Sequence, residues 1–387
     1  MLPRLFLCKN GETFGNFSGC DVVHKGILKE INLNDKVKVI TCDKNWITSD
    51  ALIQLDKVAS YDGVERAVGL PDLHAGKTPV GIAVKTKDMI YPNLIGNDIG
   101  CGMALFHTGV KVKKYKQDRW ATVLENVKGL EYVKTDMEIQ EPCPLSDIGT
   151  IGGGNHFAEF QRLEKVYDEE FFSKAQIDGD EVLILVHSGS RGYGQSILRR
   201  YSSPEGLHWR DERSESYLSE HDEALKWARI NRKTVAEKLV NILGFSDEVR
   251  TMLDCCHNFV ENADGGFIHR KGSVSAEHSM IVIPGSRGTL TYLAVPISDA
   301  ESLFSVSHGA GRKWARSLCK SRVAGKYDRN TIRRTDMKSR VICHDTELLF
   351  QEAPEAYKNV DHVISALVEH ELIKVIAAFR PLITFKA

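Results

Sequence analysis

At 387 residues and 42% hydrophobic, the chain can bury a large core as one big domain or two. A formal net charge of -1 excludes a protein that coats nucleic acid by bulk charge, so any such contact needs a local basic patch. The 9 cysteines are scattered with no C-x-x-C pair, which excludes a disulfide framework and a structural zinc knuckle.

In chain order, the opening Met1–Cys8 turns polar too soon for a signal peptide. No apolar run is long enough to span a bilayer, so no membrane partner and a reducing cytoplasm are expected. Val37–Cys42 reads as a strand, Asn45–Val58 as a helix and Pro71–Lys77 as a loop before the strand Val80–Val84. Met103–Val110 is a β run. Val182–Val186 is a wholly apolar run that delivers His187 at its C-terminal end, as a buried strand would. Asp222–Leu243 has helical periodicity, with Gly244 as its stop. His257 is expected at the end of a helix. Ile281–Gly285 and Thr291–Val295 are strands, Lys313–Lys320 is a helix, and Val360–Ile376 is a helix capped by Asn359 or Asp361. The pattern is α+β, a single large mixed domain over 1–387; a doubly wound sheet needs more regular alternation. No linker or repeat interrupts it.

The chemistry gathers around Ile95–Met103, where Asp98 and Cys101 sit among Gly96, Gly100 and Gly102. A carboxylate and a thiol so close are poor core material but can share a metal ion; the plain reading is a glycine turn with a buried thiol. Gly152-Gly-Gly-Asn-His-Phe157, with Glu159 beyond, can turn backbone N–H groups toward a phosphate, or be a turn with a surface histidine. His187-Ser-Gly-Ser-Arg191 lies at a strand end, where sites are built and where core histidines also cap. In Cys255-Cys-His-Asn258 the better ligand is His257, because adjacent cysteines rarely chelate one ion together. Pro284-Gly-Ser-Arg-Gly-Thr289 has the donors and glycines of an anion loop or of a basic hairpin tip.

Ser307-His-Gly-Ala-Gly-Arg312 opens the predicted helix, so its N-terminus would favour phosphate and Arg312 would grip the oxygens bidentately. His308 would then face that phosphate with a neutral imidazole, the state in which nitrogen attacks phosphorus. The alternative is a capping turn without chemistry. The basic clusters Lys111–Lys116 and Arg329–Arg340 could track RNA, although each reads first as solvated surface.

Taken together these motifs closely resemble the RtcB-type RNA ligases, from about Pro71 to the C-terminus. The resemblance implies a central cleft for metal and nucleotide. It also implies GTP- and Mn2+-dependent joining of an RNA 3′-phosphate, or a 2′,3′-cyclic phosphate opened to it, to a 5′-hydroxyl, in RNA repair. It implies two metal ions with Cys101 bridging and Asp98, His156, His187 and His257 as the other ligands. His308 matches the histidine that becomes guanylylated, and Asp72 an active-site carboxylate. Asn155 matches a phosphate contact, while Phe157, Glu159, Ser286, Tyr357 and Lys386 match guanine-nucleotide contacts. The flanking loop residues Pro284, Gly285, Arg287, Gly309, Ala310, Gly311 and Arg312 complete the nucleotide set. Ligand chemistry alone suits Zn2+ as well as Mn2+, so Mn2+ comes from the family.

Departures from the family pattern are Thr78-Pro79, Asn97, Arg287 in place of a usual Met, and the terminal Ala387. They mark a shorter bacterial branch, in which an archease-like activator or a release-factor-like partner is expected and the natural RNA is not disclosed. Two rival functions follow from the same residues. A metal-dependent cyclic phosphodiesterase would need the metals but not His308, and an RNA-binding accessory would need neither.

Overall fold

The computed structural model describes residues 30–127, 129–130, 148–245 and 249–386. The readings of Met1–Cys8 and of Ala387 lie outside the described residues. Two large sheets carry the architecture, and the α+β expectation holds. The larger runs, in spatial order, Arg250–Cys256, Gly102–Lys111, Glu181–Ser188, Phe157–Val166, Ile373–Lys386, Thr291–Pro296 and Ile281–Pro284. These pairs are antiparallel, while Arg340–Cys343 adds in parallel to Ile373–Lys386. The second sheet runs Glu30–Asn34, Val37–Ile40, Val64–His74, Val80–Thr86, Gly266–Lys271 and Asn258–Ala263.

The central strands of the larger sheet are buried on both faces, which is why Val182–Val186 is apolar throughout. Successive side chains alternate. Ala104, Phe106, Val182, Ile184, Val186, Ala158, Phe160, Ile383 and Phe385 join one core with Val235 and Leu239 of the helix Glu212–Ile242. Met103, Leu105, Leu183 and Leu185 join the opposite core, under the helix Val360–Glu369. The same alternation carries His187, Phe157, Glu159, Thr384 and Lys386 to that second face, with Phe157 opposite His187 and Thr384 opposite Glu159.

The helices predicted over Asn45–Val58 and Asp222–Leu243 run Ser49–Ala59 and Glu212–Ile242, and four differences from the sequence expectation bear on the site. The strand Val64–His74 includes the first part of the predicted Pro71–Lys77 loop; Pro71 is accommodated where the ladder register shifts between Gly69 and His74. His257 follows the strand Arg250–Cys256, not a helix. The helix predicted to Ile376 ends at Glu369, capped by Asn359, and the strand Ile373–Lys386 begins after a turn with Glu371 at φ 56. Its apolar run fits either period over so short a length. The predicted helix Lys313–Lys320 is Arg316–Val323, so the His308 motif follows the strand Ser305–Ser307 and opens no helix.

Candidate active site

The chain crosses from the larger sheet to the smaller at His257, between Arg250–Cys256 and Asn258–Ala263. Two backbone bonds lock this crossing to the Asp98–Cys101 turn: His257 N–H donates to Cys101 O (2.8 Å) and Gly100 N–H to Asn258 O (2.8 Å). Asn258 Nδ2 also donates to Asp98 O (3.2 Å).

Cys101 Sγ lies 3.2 Å from His156 Nε2 and 3.2 Å from His187 Nε2, and all three residues are buried. Asp98 Oδ2 is 2.8 Å from His156 Nε2. The far nitrogens are fixed by carbonyls: His156 Nδ1 on Ile151 O (3.1 Å) and His187 Nδ1 on Asn155 O (3.2 Å), which turns both Nε2 atoms inward. Burial pushes His187 and His257 well below the ordinary histidine range, keeping them neutral, as metal ligands must be. Burial, with Asp98 beside it, pushes the Cys101 thiol well above its ordinary range. A cation reverses that preference. His257 has a buried Nδ1 without a partner among the described residues, and its ring meets His187 edge-on (centroids 5.1 Å apart) and lies tilted against His308 (4.5 Å). The donor set fits a divalent metal centre, and its chemistry alone does not choose Mn2+ over Zn2+.

His308 stands across His257 from this cluster. Its Nδ1 is 2.6 Å from Asp72 Oδ2, and Asp72 is fully buried. Gly311, at φ 71, lets the loop close on Asp72: a Cβ there would sit 2.3 Å from Asp72 O. One cavity of about 1430 Å³ is lined by Asp98, Cys101, His156, His187, His257 and His308. Its wall continues through Asn155, Phe157, Glu159 and Lys386, through Pro284–Arg287, and through Gly309, Ala310, Gly311, Arg312 and Tyr357. Asp72 alone of the predicted set stands behind the wall, in contact with it through His308.

Arg312 does not keep the role expected of it. Its donors go to Glu352 Oε1 (2.9 Å), Gln351 O (2.8 Å), Trp314 O (3.1 Å), Cys319 Sγ (3.2 Å) and Tyr357 OH (3.4 Å), leaving none for a phosphate. Lys111–Lys116 and Arg329–Arg340 lie off the cavity; Lys111 pairs with Asp178 and Arg340 with Glu125. The cations on the rim are Lys57, Lys77, Arg199, Lys313, Arg316 and Arg322.

A family model described as tRNA-splicing ligase RtcB matches residues 54–141 and 134–387. The chain belongs to the RtcB family. A protein of Escherichia coli named RNA-splicing ligase RtcB2 is 40% identical over 370 residues, covering 92% of this chain and 96% of its own. RNA-splicing ligase RtcB of Escherichia coli K12 is 27% identical, covering 88% and 95%. The tRNA-splicing ligase RtcB of Archaeoglobus fulgidus is 25% identical, covering 87% and 91%.

Within this RtcB scaffold, three buried polar residues escaped the motif reading. Arg232, in the C-terminal half of Glu212–Ile242, donates through Nη1 to Gly100 O (2.7 Å) and Ser188 O (2.8 Å), beside Cys101 and His187, and pairs with Asp254. Its neighbour Asn231 accepts from Gly149 N–H (2.7 Å) and Thr150 N–H (3.1 Å), anchoring the loop that leads to His156. Lys358 donates to Pro71 O (3.0 Å) and Leu73 O (2.7 Å), on either side of Asp72, and its own N–H bonds Gly311 O (3.0 Å). The available signal was an Asn-Arg pair within a helical stripe that includes Ala228 and Val235.

Proposed function

We propose that this RNA ligase uses GTP and Mn2+ to join an RNA 3′-phosphate, or a 2′,3′-cyclic phosphate opened to it, to a 5′-hydroxyl through a guanylylated His308. The observation that carries this is the opening of the Cys101–His156–His187 group and the Asp72-backed His308 into one cavity. With its proton on Nδ1 toward Asp72, His308 has a free Nε2 lone pair. That nitrogen attacks the α-phosphorus of GTP, forming a P–N bond as the P–O bond to pyrophosphate breaks. An oxygen of the RNA 3′-phosphate then takes the GMP from His308. The 5′-hydroxyl finally attacks the RNA phosphorus, losing its proton as GMP leaves. Alignment and charge stabilisation govern that last step.

Asp98, Cys101, His156, His187 and His257 would hold two divalent cations, which would supply charge neutralisation for the polyphosphate. Asn155 faces the phosphates, while Phe157, Glu159, Ser286, Tyr357 and Lys386 form the wall for the nucleoside. The RNA enters across Lys77, Arg199, Arg316 and Arg322, all exposed. Both sheets furnish this machinery, so the catalytic unit is the chain as one domain, working in the cytoplasm. An archease-like activator and a release-factor-like partner belong to this proposal through the family resemblance alone.

The test is incubation with α-labelled GTP and Mn2+, followed by a denaturing gel. Label on the protein, acid-labile and absent in His308→Ala, is expected; label persisting in that variant refutes His308 as nucleophile. Sealing of a nicked stem-loop with 3′-phosphate and 5′-hydroxyl ends then separates ligase from phosphodiesterase, which would open a cyclic end and stop.

A further inference from the structure

Arg287 is a buried guanidinium whose hydrogen bonding does not balance. It is 8% exposed, and Nη2 donates to Ile332 O (3.2 Å), yet Nε and Nη1 have no partner among the described residues. The fold treats its other buried arginines differently: Arg232 meets Asp254 and two carbonyls, and Arg270 meets Glu261 and Ser305. An unpaired buried donor bears its full desolvation cost, which an acceptor on a ligand beside it would relieve.

The turn holding Arg287 is rigid. Ser286 N–H donates to Thr289 Oγ1 (2.7 Å), and Ser339 Oγ donates to Arg287 O (3.2 Å). The turn is also tied to the nucleophile's loop, because Ala310 N–H donates to Pro284 O (3.0 Å). Arg287 lies three residues further on, in the cavity wall, and its electrostatic neighbours are Glu352, Cys343, Tyr357 and Tyr327. None belongs to the Cys101 cluster. A nucleotide with its α-phosphorus at His308 and its phosphates toward that cluster therefore turns its base to this wall.

We propose that Arg287 reads the O6/N7 edge of the guanine base, making N7 a required acceptor; this rests on the cavity being a GTP site. Guanine presents two adjacent acceptors there, whereas adenine sets an amino donor beside N7, aimed at a cation that cannot accept it.

The test compares GTP with 7-deaza-GTP in single-turnover formation of the protein–GMP adduct, using the full chain with Mn2+ and its Arg287→Met and Arg287→Lys variants. Wild type is expected to lose roughly tenfold or more in kcat/KM on 7-deaza-GTP, mainly through KM, the range for a hydrogen bond to a charged group. Arg287→Met is expected to lose a similar factor on GTP and to treat the two nucleotides alike, with Arg287→Lys between. Wild type using both equally, or Arg287→Met keeping the wild-type ratio, overturns the inference. A uniform loss with the ratio intact assigns Arg287 to phosphate and overturns it too. The wild-type ratio needs no variant to fold. Absence of adduct with either nucleotide removes the GTP reading itself, and this inference with it.

Discussion

Replacing Asp72 by Asn tests the chemistry assigned to His308 with little change of shape. Asp72 is fully buried, its Oδ2 lies 2.6 Å from His308 Nδ1, and Oδ1 has no partner among the described residues. The carboxylate accepts only, so it fixes the proton on Nδ1 and leaves Nε2 free to attack. An amide removes the charge. If its oxygen still accepts, the loss is that of a charge-assisted bond, about 1.5–3 kcal/mol, or roughly 10- to 150-fold in rate. If its NH2 group turns to His308, the wrong tautomer results, and the equivalent change in a serine-protease triad costs about 10⁴. Asp72→Asn should therefore slow protein–GMP formation by between about 10-fold and 10⁴-fold. Metal uptake should persist, since Asp72 touches none of Cys101, His156 and His187. Rapid-quench labelling with α-labelled GTP, with Co2+ binding on the same preparation as control, measures both. Labelling within twofold of wild type would refute the assignment of the proton, and parallel loss of Co2+ binding would make Asp72 a folding residue.

Three further outcomes follow from the site. Burial, against bonds from Thr384 and Gln161, raises Glu159 to about 7 from 4.5, so the folded state keeps its proton through that window. Stability from this group is full below about pH 4.5 and lost as pH rises through about 7, on the order of 3 kcal/mol; urea titrations of Glu159→Gln should lack that decline, and an unchanged pH profile would reject it. Cys101→Ser should abolish the thiolate-to-Co2+ charge-transfer absorption and weaken Co2+ binding; a retained band would put the metal elsewhere. Arg232→Met strands Asp254 and should cost about 3–5 kcal/mol in urea denaturation. Pairing it with Asp254→Leu should restore stability but not labelling; restored labelling would reduce Arg232 to charge compensation.

Legibility in the sequence followed how local each signal was. Val182–Val186 was readable because a strand buried on both faces leaves one unbroken apolar run, and the histidine ending it falls on the cavity face by period alone. The Asp98–Cys101 turn and the His308 loop were readable because glycine and polar residues interrupt otherwise apolar stretches. His257 was misread because Arg250–Cys256 mixes charge and thiols without clear alternation, and its strand is decided by pairing with Gly102–His107. The helix start after Arg312 failed for a similar reason: the loop is held by Glu352 and Tyr357, some 40 residues later, and no window spans that distance. Arg312 therefore looked like a phosphate clamp when tertiary acceptors consume its donors.

The residues that fix the site's separations were the least legible, for a physical reason. The candidate metal group sits on the larger sheet, whereas Asp72 belongs to the smaller, so their spacing is a property of the joint between sheets. Hydrophobic packing sets such a joint only loosely, because apolar contacts have no direction. Directional bonds from buried polar groups remove the freedom: Arg232 to Gly100 and Ser188 on one side, Lys358 to Pro71, Leu73 and Gly311 on the other. Burial holds Lys358 down to about 7, against the pull of Asp72, so the clamp is retained at a cost in stability. A phosphoryl transfer that depends on alignment loses rate steeply with displacements of an ångström, which is the advantage that offsets this cost. The family motifs thus supply the side chains of the proposed chemistry, and two buried basic residues outside those motifs, Arg232 and Lys358, anchor the backbone that carries them.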